Sequence, residues 1–102
     1  MSFLKRQIEM HNPPHPGELL KQDILPTLDL TVSEFAEHLG VSRSHLSKIL
    51  NGHGGITAEM DLKLSEALSQ PPGLWLRMQV NYDLWLAGKA PRTPVKPLPL
   101  VA

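Results

Sequence analysis

Arg43, Ser44, His45, Ser47 and Lys48 put a guanidinium, two hydroxyls, an imidazole and an ammonium into six consecutive positions with no carboxylate among them. Such groups mainly donate hydrogen bonds. Their natural counterparts are acceptor-rich surfaces such as base edges and phosphate oxygens, and the forked donors of an arginine match the O6 and N7 of guanine. Donors select a sequence only if a rigid element presents them together.

The surrounding stretch, EFAEHLGVSRSHLSKILNG at residues 34–52, supplies such an element: two short amphipathic segments hinged on Gly40. Two helices that cross steeply need a small residue at closest approach, which Ala36 provides. They also need a turn residue tolerant of positive φ, which is Gly40, and apolar side chains at the crossing, which are Leu39, Val41, Leu46 and Ile49. With Leu46, Ile49 and Leu50 turned inward, Ser44, Lys48 and Asn51 point outward. His45 and Ser47 flank them, and Arg43 projects from the first turn. This is the pattern of a helix-turn-helix whose second helix enters the major groove. A plain helical corner also needs a glycine turn, but not an acid-free outer face.

The rest of the chain reads as helices. Proline fits the first turn of a helix, so NPPHPGELL opens a first helix from about Gly17 to about Leu25, with Leu19, Leu20, Ile24 and Leu25 on its apolar face. TVSE is a capping box for a second helix, Val32 to Leu39, and Ser42 caps a third, Arg43 to about Asn51, which Gly52 ends. Thr57 caps a fourth, to about Leu68, whose stripe is Met60, Leu64, Ala67 and Leu68; Glu59 and Asp61 lie in the first turn, where negative charge is favoured. Pro71 and Pro72 introduce a fifth, reaching about Leu86. No segment alternates as a strand. The expected fold is all-α with five helices: residues 1–12 as an arm, 13–88 as the domain with the helix-turn-helix at 32–51, and 89–102 as a proline-rich, extended tail.

Composition narrows the function. A chain of 102 residues with 41% hydrophobic content suits one domain with a modest core. The absence of cysteine rules out disulfides and thiolate zinc sites and is compatible with a reducing compartment. MSFLKRQIEMHNPP has no uninterrupted apolar run, and no later segment approaches membrane-spanning length, so a soluble protein without a membrane partner is expected. Ten Lys plus Arg balance ten Asp plus Glu, which argues against indiscriminate attraction to nucleic acid, although binding depends on where the charge sits. His11, His15, His38, His45 and His53 are scattered, with no paired spacing beside a glutamate for metal-dependent hydrolysis. Neither an enzyme nor a cofactor is indicated.

The segment LWLRMQVNYDLWL is apolar on two sides: Trp75, Met78, Tyr82 and Trp85 form one stripe, and Leu76, Val80 and Leu84 another. A helix apolar on two sides is buried on two sides. The first stripe suits the core and the second a further copy of the chain, unless the helix is simply central to the monomer. A two-fold pair of reading helices in successive major grooves of a palindrome would double a modest basic contact set, which reconciles neutrality with specific binding.

Three blocks, PPHPGELL, LGVSRSHLSKILNG and LWLRMQVNYDLW, resemble the HigA-type antitoxins, a branch of the lambda-repressor-like or XRE helix-turn-helix group, from about Asn12 to Trp85. The resemblance implies a cytoplasmic bacterial homodimer that represses its own operon and neutralises a HigB-like toxin of the RelE type, a ribosome-dependent mRNA interferase. By position it makes Arg43, Ser44, His45 and Lys48 the base-reading group. It assigns phosphate contacts to Ser42 and Asn51, with Ser47 and His53 completing that set. Two departures stand out. NGHGGI replaces the NGRAGI frequent in relatives, so His53 stands where an arginine would hold phosphate. Pro71-Pro72-Gly73 replaces Ser-Pro-Glu, losing the capping hydroxyl and first-turn acid, so the start of the fifth helix is expected to fray. Two other readings stay open: a stand-alone regulator with no toxin, and an interaction module that has lost DNA binding.

Overall fold

Pro16, with no N–H to leave unsatisfied, occupies the first turn of the first helix, and the His15 side chain caps it by accepting from the Gly17 N–H at 2.9 Å. The computed structural model describes residues 12–100, so the predicted arm lies outside the described residues apart from Asn12. The described residues form five helices and no strand.

Helix α1 is composite, with an α-helical turn Pro16–Leu19, a π-helical stretch Leu20–Ile24 and a last α-helical turn Leu25–Leu28. The expected end near Leu25 is therefore corrected by three residues. Pro26 has no N–H for the Gln22 carbonyl and its ring would press on it. The wider turn, in which the Leu25 N–H reaches the Leu20 carbonyl, lets the helix pass the proline. Asp29, in the left-handed conformation at φ 55°, ends it.

Helix α2, Val32–Leu39, opens on the expected capping box: Thr31 Oγ1 accepts from the Glu34 N–H at 3.1 Å and the Thr31 N–H donates to Glu34 Oε1 at 2.8 Å. Those Thr31 bonds hold the Glu34 carboxyl below its ordinary pKa. Helix α3, Arg43–Leu50, and helix α4, Ala58–Ala67, begin at their predicted caps, Ser42 and Thr57. Helix α5 is Leu74–Lys89, starting later and running further than the prolines suggested.

The frayed start expected for α5 is corrected. Gly73, at φ 104°, gives no side-chain cap, yet the helix start is held from a distance. Asp61, on α4, accepts from the Gly73 N–H at 2.7 Å and from the Leu76 N–H at 2.9 Å. Asp61 stands in the first turn of α4 as expected, but it is 3% exposed and its carboxylate caps another helix.

The core lies where the helices converge. Leu20 of α1, Phe35 of α2, Leu46 and Ile49 of α3, Leu64 of α4 and Trp75 of α5 are essentially inaccessible to solvent. Truncating such a leucine to alanine typically costs about 2–5 kcal/mol, a large share of a small domain's stability. Helix α3 is thus seated in the core through Leu46, Ile49 and Leu50, with its outer face left open.

Candidate nucleic-acid interface

The angle between α2 and α3 is fixed by buried side chains and a tight turn. Ala36 is 1% exposed at the crossing, beside buried Leu39 and half-buried Val41. Gly40 adopts φ 74°, a conformation that a Cβ would strain, and the Val41 N–H returns to the Ala36 carbonyl at 3.0 Å. From α4, the Lys63 ammonium donates to the Gly40 carbonyl at 3.3 Å while lying 3.6 Å from the Glu59 carboxylate. The corner is clamped on both sides.

On α3, Leu46, Ile49 and Leu50 face inward, so the remaining side chains form the outer surface. Arg43, Ser44, His45 and Lys48, the expected base-reading group, are all exposed on this helix. Ser42, Asn51 and His53 are exposed and Ser47 is half-buried. His45 leans toward the start of α4, lining a shallow groove with Val41, Thr57, Glu59, Met60 and Lys63. Ser42 Oγ accepts from the His45 N–H at 3.0 Å, which leaves its own hydroxyl proton available to a phosphate oxygen. No acidic side chain lies between Arg43 and Gly55. The surface is a bank of donors on a helix held rigidly by the core.

Beyond α3 the chain turns back at Gly52, φ 76°, with the His53 N–H donating to the Lys48 carbonyl at 2.8 Å. The following loop is tied to α5 by a side chain that no sequence pattern singles out. Gln79, only 6% exposed, accepts from the Ile56 N–H at 2.9 Å and donates to Asp83 Oδ1 at 2.9 Å. A glutamine flanked by Met78 and Val80 carries no local sign that its amide is buried.

Helix α1 supports α3 from behind. A Cβ on Gly17 would overlap the Ile49 carbonyl, so only glycine permits this approach. His15 is 7% exposed, with its ring 5.0 Å from that of Tyr82 in an edge-on arrangement. Burial lowers its pKa from 6.5, against the opposing pull of Asp83, the Gly54 backbone and Glu18. Neutral His15 keeps Nδ1 free to accept from Gly17. Lys21, also on α1, donates to Asn51 Oδ1 at 3.1 Å, and Asn51 Nδ2 donates to Ser47 Oγ at 3.4 Å.

The two stripes predicted on α5 separate by burial. Trp75 is 2% exposed while Met78, Tyr82 and Trp85 are half-buried; Val80 and Leu84, by contrast, are 46% and 66% exposed, and Leu76 is half-buried. Among the described residues no cluster of acidic and histidine side chains could hold a metal ion, and no helix is long and apolar enough to cross a membrane.

Comparison with known proteins agrees with this geometry. Residues 20–75 match the helix-turn-helix family. The chain is 47% identical over 81 residues to virulence-associated protein A' of Dichelobacter nodosus, covering 78% of this chain and 70% of that one. It is 41% identical over 69 residues to antitoxin HigA-1 of Vibrio cholerae serotype O1, covering 68% and 65% of the respective chains. Among solved structures it is similar to Pseudomonas aeruginosa antitoxin HigA with the higBA promoter, with a TM-score of 0.71 and 30% identity over 74% of this chain and 83% of that one.

Proposed function

The chain belongs to the helix-turn-helix family that includes the HigA-type antitoxins, and from that membership we propose that it is an antitoxin and transcriptional autorepressor. A homodimer binds a palindromic operator through α3 and neutralises a HigB-like, RelE-type mRNA interferase. The observation that carries the DNA-binding part is the acid-free, donor-bearing outer face of α3, anchored by Leu46 and Ile49 at 0% exposure. Arg43, Ser44, His45 and Lys48 read base edges, while Ser42, Ser47, Asn51 and His53 hold phosphate and set the depth of insertion.

Leu76, Val80 and Leu84 form the contact between protomers. Solvent exposure of Val80 and Leu84 on a helix whose opposite side is buried supports this assignment. The pair of α3 helices then reaches half-sites about 34 Å apart, one turn of DNA. The two copies together supply the positive contacts that a neutral chain lacks singly.

The DNA reading is tested by a mobility shift with the DNA upstream of the protein's own gene. Arg43→Ala should weaken binding and relax base preference at one position per half-site, at a cost of about 1–3 kcal/mol. An unchanged footprint and affinity would remove Arg43 from the reading set. Co-purification with a small basic protein encoded next to this gene tests the antitoxin half; a chain that shifts DNA but captures no such partner would be a stand-alone regulator.

A further inference from the structure

We propose that Lys21, on α1 and outside the helix-turn-helix, is a DNA-phosphate contact, joined with Asn51 and Ser47 into one anion cradle beside the C-terminal end of the reading helix. The proposal rests on the reading that α3 lies in the major groove. Its basis is the direction of two hydrogen bonds. Lys21 Nζ donates to Asn51 Oδ1 at 3.1 Å, and Asn51 Nδ2 donates to Ser47 Oγ at 3.4 Å. An ammonium can only donate, so it fixes the amide with its oxygen toward Lys21 and its nitrogen toward Ser47.

The consequence is chemical. The Asn51 oxygen faces an ammonium and the Ser47 oxygen faces an amide N–H. What remains free is one amide proton on Asn51, the hydroxyl proton of Ser47 and two ammonium protons on Lys21. Three side chains from two helices therefore present spare donors in one place, together with a positive charge, which suits a phosphate oxygen. Lys21 and Asn51 are exposed, and Lys21 takes part in no ion pair among the described residues. Glu18, one turn back on α1, instead faces Gln22, whose Nε2 lies 3.4 Å from its Oε1. The close seating of Gly17 on the Ile49 carbonyl brings α1 near enough to α3 for this bridge. A phosphate held here would set how far α3 enters the groove.

A simple pin between α1 and α3 would use the same Lys21–Asn51 bond, and salt dependence separates the two roles. The probe is a fluorescent duplex of the DNA upstream of the protein's own gene, titrated with the full chain at several salt concentrations and compared with an unrelated duplex. Each lost phosphate contact lowers the slope of log affinity against log salt by about 0.9, equal to about 3.5-fold per protomer between 50 and 200 mM salt. Lys21→Gln should show that drop on both duplexes, leaving the specificity ratio and the melting temperature unchanged, while Lys21→Arg keeps the wild-type slope. Asn51→Asp gives Lys21 a stronger partner, so a pin would be preserved; an anion cradle instead loses a donor and gains a negative charge, and DNA affinity should fall. If the wild type binds its upstream duplex but Lys21→Gln keeps the wild-type slope, the cradle is overturned and the reading of α3 stands; if Asn51→Asp binds as tightly as wild type, the cradle falls together with the phosphate role of Asn51. A wild type that binds neither duplex overturns both.

Discussion

Replacing Asp61 should unfasten the start of α5, and the structure sets the size of the effect. Its carboxylate is 3% exposed and accepts from the Gly73 and Leu76 N–H groups at 2.7 and 2.9 Å. Hydrogen bonds to a charged group contribute about 1.5–3 kcal/mol each, and a carboxylate at a partly buried helix N-terminus adds up to about 2 kcal/mol. The desolvation of the buried carboxylate subtracts from that total. Asp61→Ala is therefore expected to cost about 3 kcal/mol, since both N–H groups lose their acceptor. Asp61→Asn keeps one acceptor but turns an NH₂ toward the other N–H, and should cost about 2 kcal/mol. For a domain of this size, 3 kcal/mol corresponds to a fall in melting temperature of about 12–24 °C. Urea titration followed by tryptophan fluorescence measures it, because Trp75 lies in the first turn of α5 and its indole N–H donates to Gln70 Oε1 at 2.8 Å. Amide exchange at Gly73 and Leu76 should quicken in the same variants. If Asp61→Asn stays within about 0.5 kcal/mol of wild type with both amides still protected, the helix start does not depend on this carboxylate.

Three further outcomes follow from single contacts. Gly17→Ala must push α1 away from the Ile49 carbonyl, so its urea midpoint should fall by the equivalent of about 1–3 kcal/mol, or more if the helices cannot part; an unchanged midpoint would refute the close approach. Ser65 Oγ is buried with no partner among the described residues, so Ser65→Ala should be neutral or stabilising by up to about 1 kcal/mol, and a clear loss of stability by the same titration would mean the hydroxyl is satisfied. Burial lowers the His15 pKa from 6.5, so below that value the unfolded chain binds the proton more readily than the folded one. The His15 contribution is intact above 6.5 and is lost as pH falls from there through the depressed native value. Stability should decline from about pH 7.5 to about pH 5.5 more steeply in wild type than in His15→Gln, and parallel curves would remove His15 as the cause.

The elements legible in the sequence are those whose cause lies within a few residues. Thr31 with Glu34, Ser42 and Thr57 mark three helix starts because each cap bonds an N–H three residues on. The Gly40 turn and the inward set Leu46, Ile49 and Leu50 follow from backbone sterics and helical spacing, which is why the corner and its outer face are readable without coordinates. The end of α1 is not legible locally, because a π-helical turn lets the helix continue past Pro26 to Leu28.

By itself, then, the sequence determined an all-helical chain and the face of α3 from which donors project, since periodicity and capping act along the chain. Tertiary structure alone decided what holds that face in place: Asp61 capping a helix twelve residues away, Gln79 fastening the loop after α3, Gly17 admitting a carbonyl, and Lys21 meeting Asn51 across thirty positions. Each of these pairs distant groups through space, and an aspartate, a glutamine or a lysine looks the same in sequence whether it meets water or a buried N–H. Only the packing of α1, α4 and α5 around α3 distinguishes them.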